Sequence, residues 1–136
     1  MQQRMATLAA ALWWGCLTGL GFIAVPTLFA SLPSPAIAGP VAARLFTAQS
    51  WVSLACGVLL LILLKGPATE GRDDQARTTL GLVMAGMLLA LLIEYVAAPR
   101  IRARDNLALW HGAGTAMYAV QWLCALAVLW WQSRRT

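Results

Sequence analysis

The sequence predicts an all-α integral membrane protein, a four-transmembrane-helix antiparallel bundle, and three observations carry that prediction. Of its 136 residues, 60% are hydrophobic and only 11% are charged, against about 45–50% apolar and about 25% charged in soluble domains. The charges cluster between long uncharged stretches rather than spreading along the chain. The length suits four crossings, since at about 20 apolar residues each they occupy about 80 and leave room for loops, which a fifth would remove. Residues 1–136 then form a single membrane domain.

The first span is expected at about residues 7–29. No charged side chain occurs between Met5 and Ala43, and Pro33, Pro35, Gly39 and Pro40 interrupt the stretch after that span. Ser34 before Pro35 has the form of a helix start, because serine caps free N–H groups and proline lacks an N–H where none is needed. The second helix thus begins outside the bilayer, bends near Pro40, and crosses over 45–64, a charge-free run of 20 residues stopped by Lys65-Gly66-Pro67. Glu70, Arg72, Asp73, Asp74 and Arg77 make a hydrated loop of mixed sign. The third span, 78–99, carries one acid, Glu94. A short loop with Arg100, Arg102, Arg104 and Asp105 leads to the fourth, 107–131, closed by Arg134 and Arg135. Arg4 and the small-x-small run Ala36-Ile37-Ala38 suit a cleavable leader, but the apolar run between them is longer than the roughly 7–15 residues of a secretory core, so cleavage is not expected.

The net charge of +5 comes from ten basic residues scattered among apolar runs, with no aromatic-and-basic motif. The lipid bilayer is therefore the expected partner, and nucleic acid is not. Cys16, Cys56 and Cys124 are an odd number, far apart and inside apolar runs, which gives neither a disulfide framework nor a zinc spacing. No Ser-His-Asp arrangement, HExxH or glycine-rich phosphate loop is present, and one histidine cannot supply bis-histidine haem ligation. No catalysis and no cofactor is expected.

Polar residues can be placed by depth. Trp110 and Trp131 lie 21 residues apart, about 31 Å along a helix, which sets them at the two interfaces of one span. His111, Thr115, Tyr118 and Trp122 then share one helical face, expected to point inward because lipid offers no partners. Glu94, about 7 Å below the end of its helix at Pro99, shares a depth with His111. Arg44 and Gln49 belong to the same end, which gives an outer polar cluster of Arg44, Gln49, Glu94, Arg100 and His111. Two readings of it remain. Glu94 pairs with Arg44 or Arg100 to hold helices together in a structural or accessory protein. Alternatively, Glu94 and His111 bind or transport a metal ion, haem or small cation. Arg100, Arg102 and Arg104 read as membrane-flanking charge. Cys16, Cys56 and Cys124 share a layer with Met87 about 10–13 Å from the inner boundary. Their soft sulfur would suit Cu(I), but Cys124 lies about 220° around its helix from His111, facing away from the polar stripe, and the cysteines read better as small buried apolar residues. Gly15 and Gly19 form a GxxxG pair that would serve internal packing or a homo-oligomer equally well, and Gln121 is expected to hydrogen-bond to a neighbouring helix.

Trp13-Trp14-Gly15, Gly19, Gly21-Phe22, Val25-Pro26, Leu28-Phe29, Leu32-Pro33, Gly39 and Ala42-Ala43-Arg44-Leu45-Phe46, with Glu94, Pro99-Arg100 and His111, resemble the bacterial transmembrane protein 205-like family, a domain of unknown function (4149). The resemblance implies a four-helix membrane protein. The association of a human relative with resistance to platinum drugs adds metal or drug handling as an alternative. The first helix is also faintly similar to the small haem-pathway oxidase of bacterial membranes, in Trp14-Gly15 and Pro26 with Leu28-Phe29, but lacks that family's histidine there.

With four spans, Arg4, Lys65, Arg72, Arg77, Arg134 and Arg135 share one side, against Arg44, Arg100, Arg102 and Arg104. The positive-inside rule places both termini in the cytoplasm and the protein in the inner membrane. An impermeant thiol reagent applied to intact cells is expected to label Ser34→Cys and not Thr69→Cys; the opposite pattern reverses the topology.

Overall fold

The computed structural model describes residues 1–69 and 74–136, with side chains through Gly66 and again from Asp74. Four rods result: α1 (Gln2–Ser31), α2 (Pro35–Thr69), α3 (Asp74–Arg102) and α4 (Leu107–Ser133). All four are long and apolar enough to cross a bilayer, and the chain is a multi-pass membrane protein. Glu70, Arg72 and Asp73 of the expected loop lie outside the described residues.

The helices outrun the expected spans. α2 begins at Pro35, as the Ser34-Pro35 pair indicates, but continues as one uninterrupted α-helix through Pro40 and past Lys65-Gly66-Pro67. Proline removes one donor, so a helix survives it when the orphaned carbonyl finds another partner. Pro67 cannot bond the carbonyl four residues back, that of Leu63, and the Gln2 side-chain amide donates to it instead at 2.6 Å.

Pro26 and Pro99 are met differently. Each follows a π-helical stretch, Gly19–Ala24 in α1 and Ile93–Ala97 in α3. The residue before each proline bonds five residues back: Val25 N–H to Leu20 and Ala98 N–H to Ile93. The wider turn relieves the clash of the proline ring with the preceding turn, and the helix goes on. This is why α3 ends at Arg102 and not at Pro99. The turn to α4 then uses left-handed residues, Arg104 (φ 56°) and Asn106 (φ 45°), a region asparagine tolerates.

The helices pack as a ring in chain order, with α4 closing against α1. Both termini meet at one end, here the terminal end. Gln3 Nε2 donates to Gln132 Oε1 at 2.5 Å, and the Thr7 and Thr136 hydroxyls lie 2.9 Å apart. The half of the bundle above them is solid. Trp13, Leu17, Leu60, Val83 and Val128 are fully buried. Trp13 crosses the ring to α3, where a β-carbon on Gly86 would strike its indole. The other diagonal is polar: the Ser53 hydroxyl of α2 accepts from Gln121 Nε2 of α4 at 2.9 Å and from Gln49 Nε2 at 3.3 Å. Gln121 thus bonds the opposite helix of the ring. Gly57 receives Met87 and Gly21 receives Tyr118, whereas a β-carbon at Gly15 or Gly19 would meet nothing within 4 Å. The GxxxG pair is therefore not used for packing within the chain.

Trp13→Ala is expected to lower stability by about 3 kcal/mol, because a cavity in a packed bundle is only partly refilled. Gly86→Leu should destabilise as well, by forcing the indole aside, while Gly15→Leu should stay within about 0.5 kcal/mol. Unfolding of the three variants in mixed detergent checks the ranking.

Candidate functional site

Toward the opposite, distal end the bundle opens into a cavity of about 370 Å³. Small residues make it. Gly39, Ala42 and Ala43 of α2, Ala97 and Ala98 of α3 and Gly114 of α4 line it together with Gly21, Val25 and Phe29 of α1. Both π stretches border it, through Gly21 on one side and Ile93, Glu94 and Ala97 on the other. Wide turns of this kind recur at functional sites.

Five polar residues are among those that line this apolar space: Glu94, Arg102, His111, Thr115 and Tyr118. Glu94 has only 17% of its side chain exposed. Thr47, behind it on α2, points its hydroxyl at both carboxylate oxygens, at 2.9 and 3.1 Å. Among the described residues this one hydroxyl hydrogen serves both oxygens, fewer than the roughly four hydrogen bonds an ionised carboxylate can accept. Arg102 Nη2 stands 3.9 Å from Glu94 Oε1, close enough for charge attraction and too far for a hydrogen bond. Its own side chain is 56% exposed. The Tyr118 hydroxyl donates to the Leu17 carbonyl of α1 at 2.6 Å, and the Tyr118 ring meets Phe46 edge-on with centroids 5.5 Å apart. His111 and Thr115 lie on exposed turns of α4, with the Thr115 hydroxyl bonded back to the His111 carbonyl at 2.8 Å. Trp122, on the same expected face, donates its indole N–H to the Thr18 hydroxyl at 2.8 Å. That stripe of α4 thus faces the cavity and α1.

The structure brings together two of the five residues of the expected cluster, Glu94 and His111, and separates the other three. Arg44 is exposed and, among the described residues, makes no ion pair; its long side chain snorkels out of the bundle. Gln49 is buried in the Ser53 network. Arg100 pairs with Asp105 at 3.8 Å and lies over Trp110, 4.6 Å from the ring centroid. The partner of Glu94 is therefore Arg102, with Thr47, and neither Arg44 nor Arg100. The π turn explains the choice. Its extra residue leaves eight positions turning like seven, about 700°, so Arg102 returns to within about 20° of Glu94, while Arg100 lands about 140° away. Glu94 also lies about 12 Å from the true helix end, deeper than Pro99 as a terminus would allow. Pro26 and Pro99, each inside an otherwise helical apolar run, were the signal for this geometry.

The sulfur layer resolves differently. Cys56 and Cys124 are buried, Cys16 is partly buried and Met87 packs against Gly57. Among the described residues no group of three His, Cys, Asp or Glu could hold a metal ion. Cys124 does not face away from the interior: it is 7% exposed and lies near Gly86. The interior face of α4 runs through Gln121, Ala125, Val128 and Gln132, which on a straight helix centres about 70° around from His111 and leaves Cys124 at its flank; the polar stripe lies at the opposite edge of the interior face, not at its middle.

Thr47→Val is expected to lower stability by about 1–2 kcal/mol, because it strips the carboxylate of its one hydrogen bond. Arg102→Gln, which removes a half-exposed and unbonded partner, should change it by less than about 0.5 kcal/mol. Detergent unfolding of the two variants decides whether Thr47 or Arg102 is the structural partner.

No curated protein and no solved structure matches the chain. A family model described as Domain of unknown function (DUF4149) matches residues 8–109. That segment contains Thr47, Glu94, Arg102 and both π stretches, and ends just short of His111. The chain belongs to the DUF4149 family.

Proposed function

We propose that the protein is a ligand-handling membrane protein that takes a small, largely apolar molecule into the distal vestibule. The observation that carries this reading is a cavity of about 370 Å³ with an under-bonded carboxylate in its wall. Its size falls in the range of roughly 300–1,000 Å³ typical of small-molecule sites, and its make-up is the usual one, apolar walls with a few placed polar groups. Arg4, Lys65, Arg77, Arg134 and Arg135 toward the terminal end, against Arg44, Arg100, Arg102 and Arg104 toward the distal end, support a cytoplasmic terminal end, with the vestibule then at the outer face of the inner membrane.

A second reading has its own observation. The Thr47–Glu94 bond ties α2 to α3, as a structural or accessory protein would require. The two readings differ in whether the cavity fills.

Gly39 lines the vestibule, and a β-carbon built there meets nothing within 4 Å. Gly39→Leu therefore plugs the cavity without displacing the backbone, and should leave stability unchanged or raise it by up to about 1 kcal/mol. Neopentylbenzene, a neutral apolar probe, is expected to bind the native protein saturably in detergent micelles and not the Gly39→Leu variant. Equal uptake by both, or no saturable uptake, refutes ligand handling and leaves the accessory role.

A further inference from the structure

We infer that the vestibule selects organic monocations, compact and apolar apart from one positive charge, with Glu94 as the counter-ion that sets this preference. The inference rests on the ligand-handling reading and adds the charge class of the ligand.

Glu94 is held in apolar surroundings with 17% of its side chain exposed, which is unfavourable for a carboxylate unless its charge is met. Among the described residues one hydrogen-bonding hydrogen reaches it, from Thr47. Arg102 stands 3.9 Å away without bonding, and its side chain is 56% exposed, so its charge is the more strongly screened of the two and offsets the buried carboxylate only in part. An anion meets the repulsion of the buried carboxylate, against which the lining sets only the half-exposed Arg102 and the exposed His111. A bare metal ion is disfavoured by the wall, which offers a single carboxylate and no cluster of three ligating groups among the described residues.

The aromatic groups point the same way. Phe46 and Tyr118 line the space near Glu94 and sit edge to face. The Tyr118 hydroxyl is committed to the Leu17 carbonyl, which leaves its ring as the part available to a ligand. Aromatic rings and a carboxylate together favour an ammonium or similar soft cation that is readily stripped of water. The cation's apolar body then lies among Gly39, Ala42 and Ala43, toward the mouth.

The test compares three probes of nearly equal shape. Benzyltrimethylammonium and neopentylbenzene differ only in a charged nitrogen against a neutral carbon, and phenylmethanesulfonate supplies the anion. Binding to the native protein in detergent is measured with Gly39→Leu as the blank for micelle partition. The expected result is that the cation binds about tenfold or more tightly than the neutral isostere, as a desolvated ion pair with aromatic contact would give. The anion should bind more weakly than either. In Glu94→Gln the cation should lose its advantage while the neutral probe binds as before. Equal binding of cation and neutral isostere, preference for the anion, or a cation preference that persists in Glu94→Gln overturns the charge assignment and leaves the cavity reading intact. If none of the three binds above the Gly39→Leu blank, the ligand-handling reading falls and this inference with it. The native-protein comparison needs no folded variant, so the charge preference is read even if Glu94→Gln does not fold.

Discussion

A bilayer offers no water to a backbone carbonyl that has lost its donor, and two prolines in the distal half of this bundle create that difficulty twice. Pro26 and Pro99 each lack an N–H and each press on the turn before them. Both helices respond by opening to bonds that reach five residues back, over Gly19–Ala24 and over Ile93–Ala97. Those turns set which side chains face the centre beyond them. Glu94 sits inside one, Gly21 inside the other, and the space between is walled by glycine and alanine. The arrangement of the distal half follows from how two carbonyl ladders are kept intact.

The terminal half has a contrasting construction. Trp13 occupies the centre of the ring, and Gly86 exists as a gap for it. Just above lie the Ser53, Gln49 and Gln121 bonds, which join α2 to α4 across the same axis. With both diagonals bridged, the four rods are held at fixed separation where they are packed. The vestibule is therefore preformed, since its walls extend from a rigid base. Tyr118 marks the boundary, with its ring against Gly21 and its hydroxyl on the Leu17 carbonyl.

Much of this was legible in the sequence. Four apolar runs between charge clusters gave the spans, and Ser34-Pro35 gave the start of α2, because both signals are local. Glu94 and His111 were placed at one end by counting rises, and both line the cavity. The assignment of Glu94 to Arg44 or Arg100 was overturned because it rested on depth alone, which does not say which side of a helix a residue faces; beyond the π turn of Ile93–Ala97 it is Arg102 that comes round to the carboxylate. Thr47 was missed because a threonine in an apolar run gives no sign of which helix it faces. The stop expected at Lys65-Gly66-Pro67 failed because the rescue of the Leu63 carbonyl comes from Gln2, 61 positions away, and no local pattern encodes that contact.

The clasp between the chain ends bears on how the molecule is made. Gln3 and Gln132 are joined across 129 positions, so the first helix to enter the membrane finds its last partner only when the final helix is in place. Until then the side of α1 toward α4 is uncovered and Gln3 is without Gln132. The hairpin of α2 and α3 can form meanwhile and receive Trp13 against Gly86, since independently inserted helices associate afterwards by packing. Biogenesis thus has an order built into it, with closure of the ring as its final event. A chain interrupted before α4 would leave that side of α1 uncovered, a mark by which an unfinished molecule differs from a finished one.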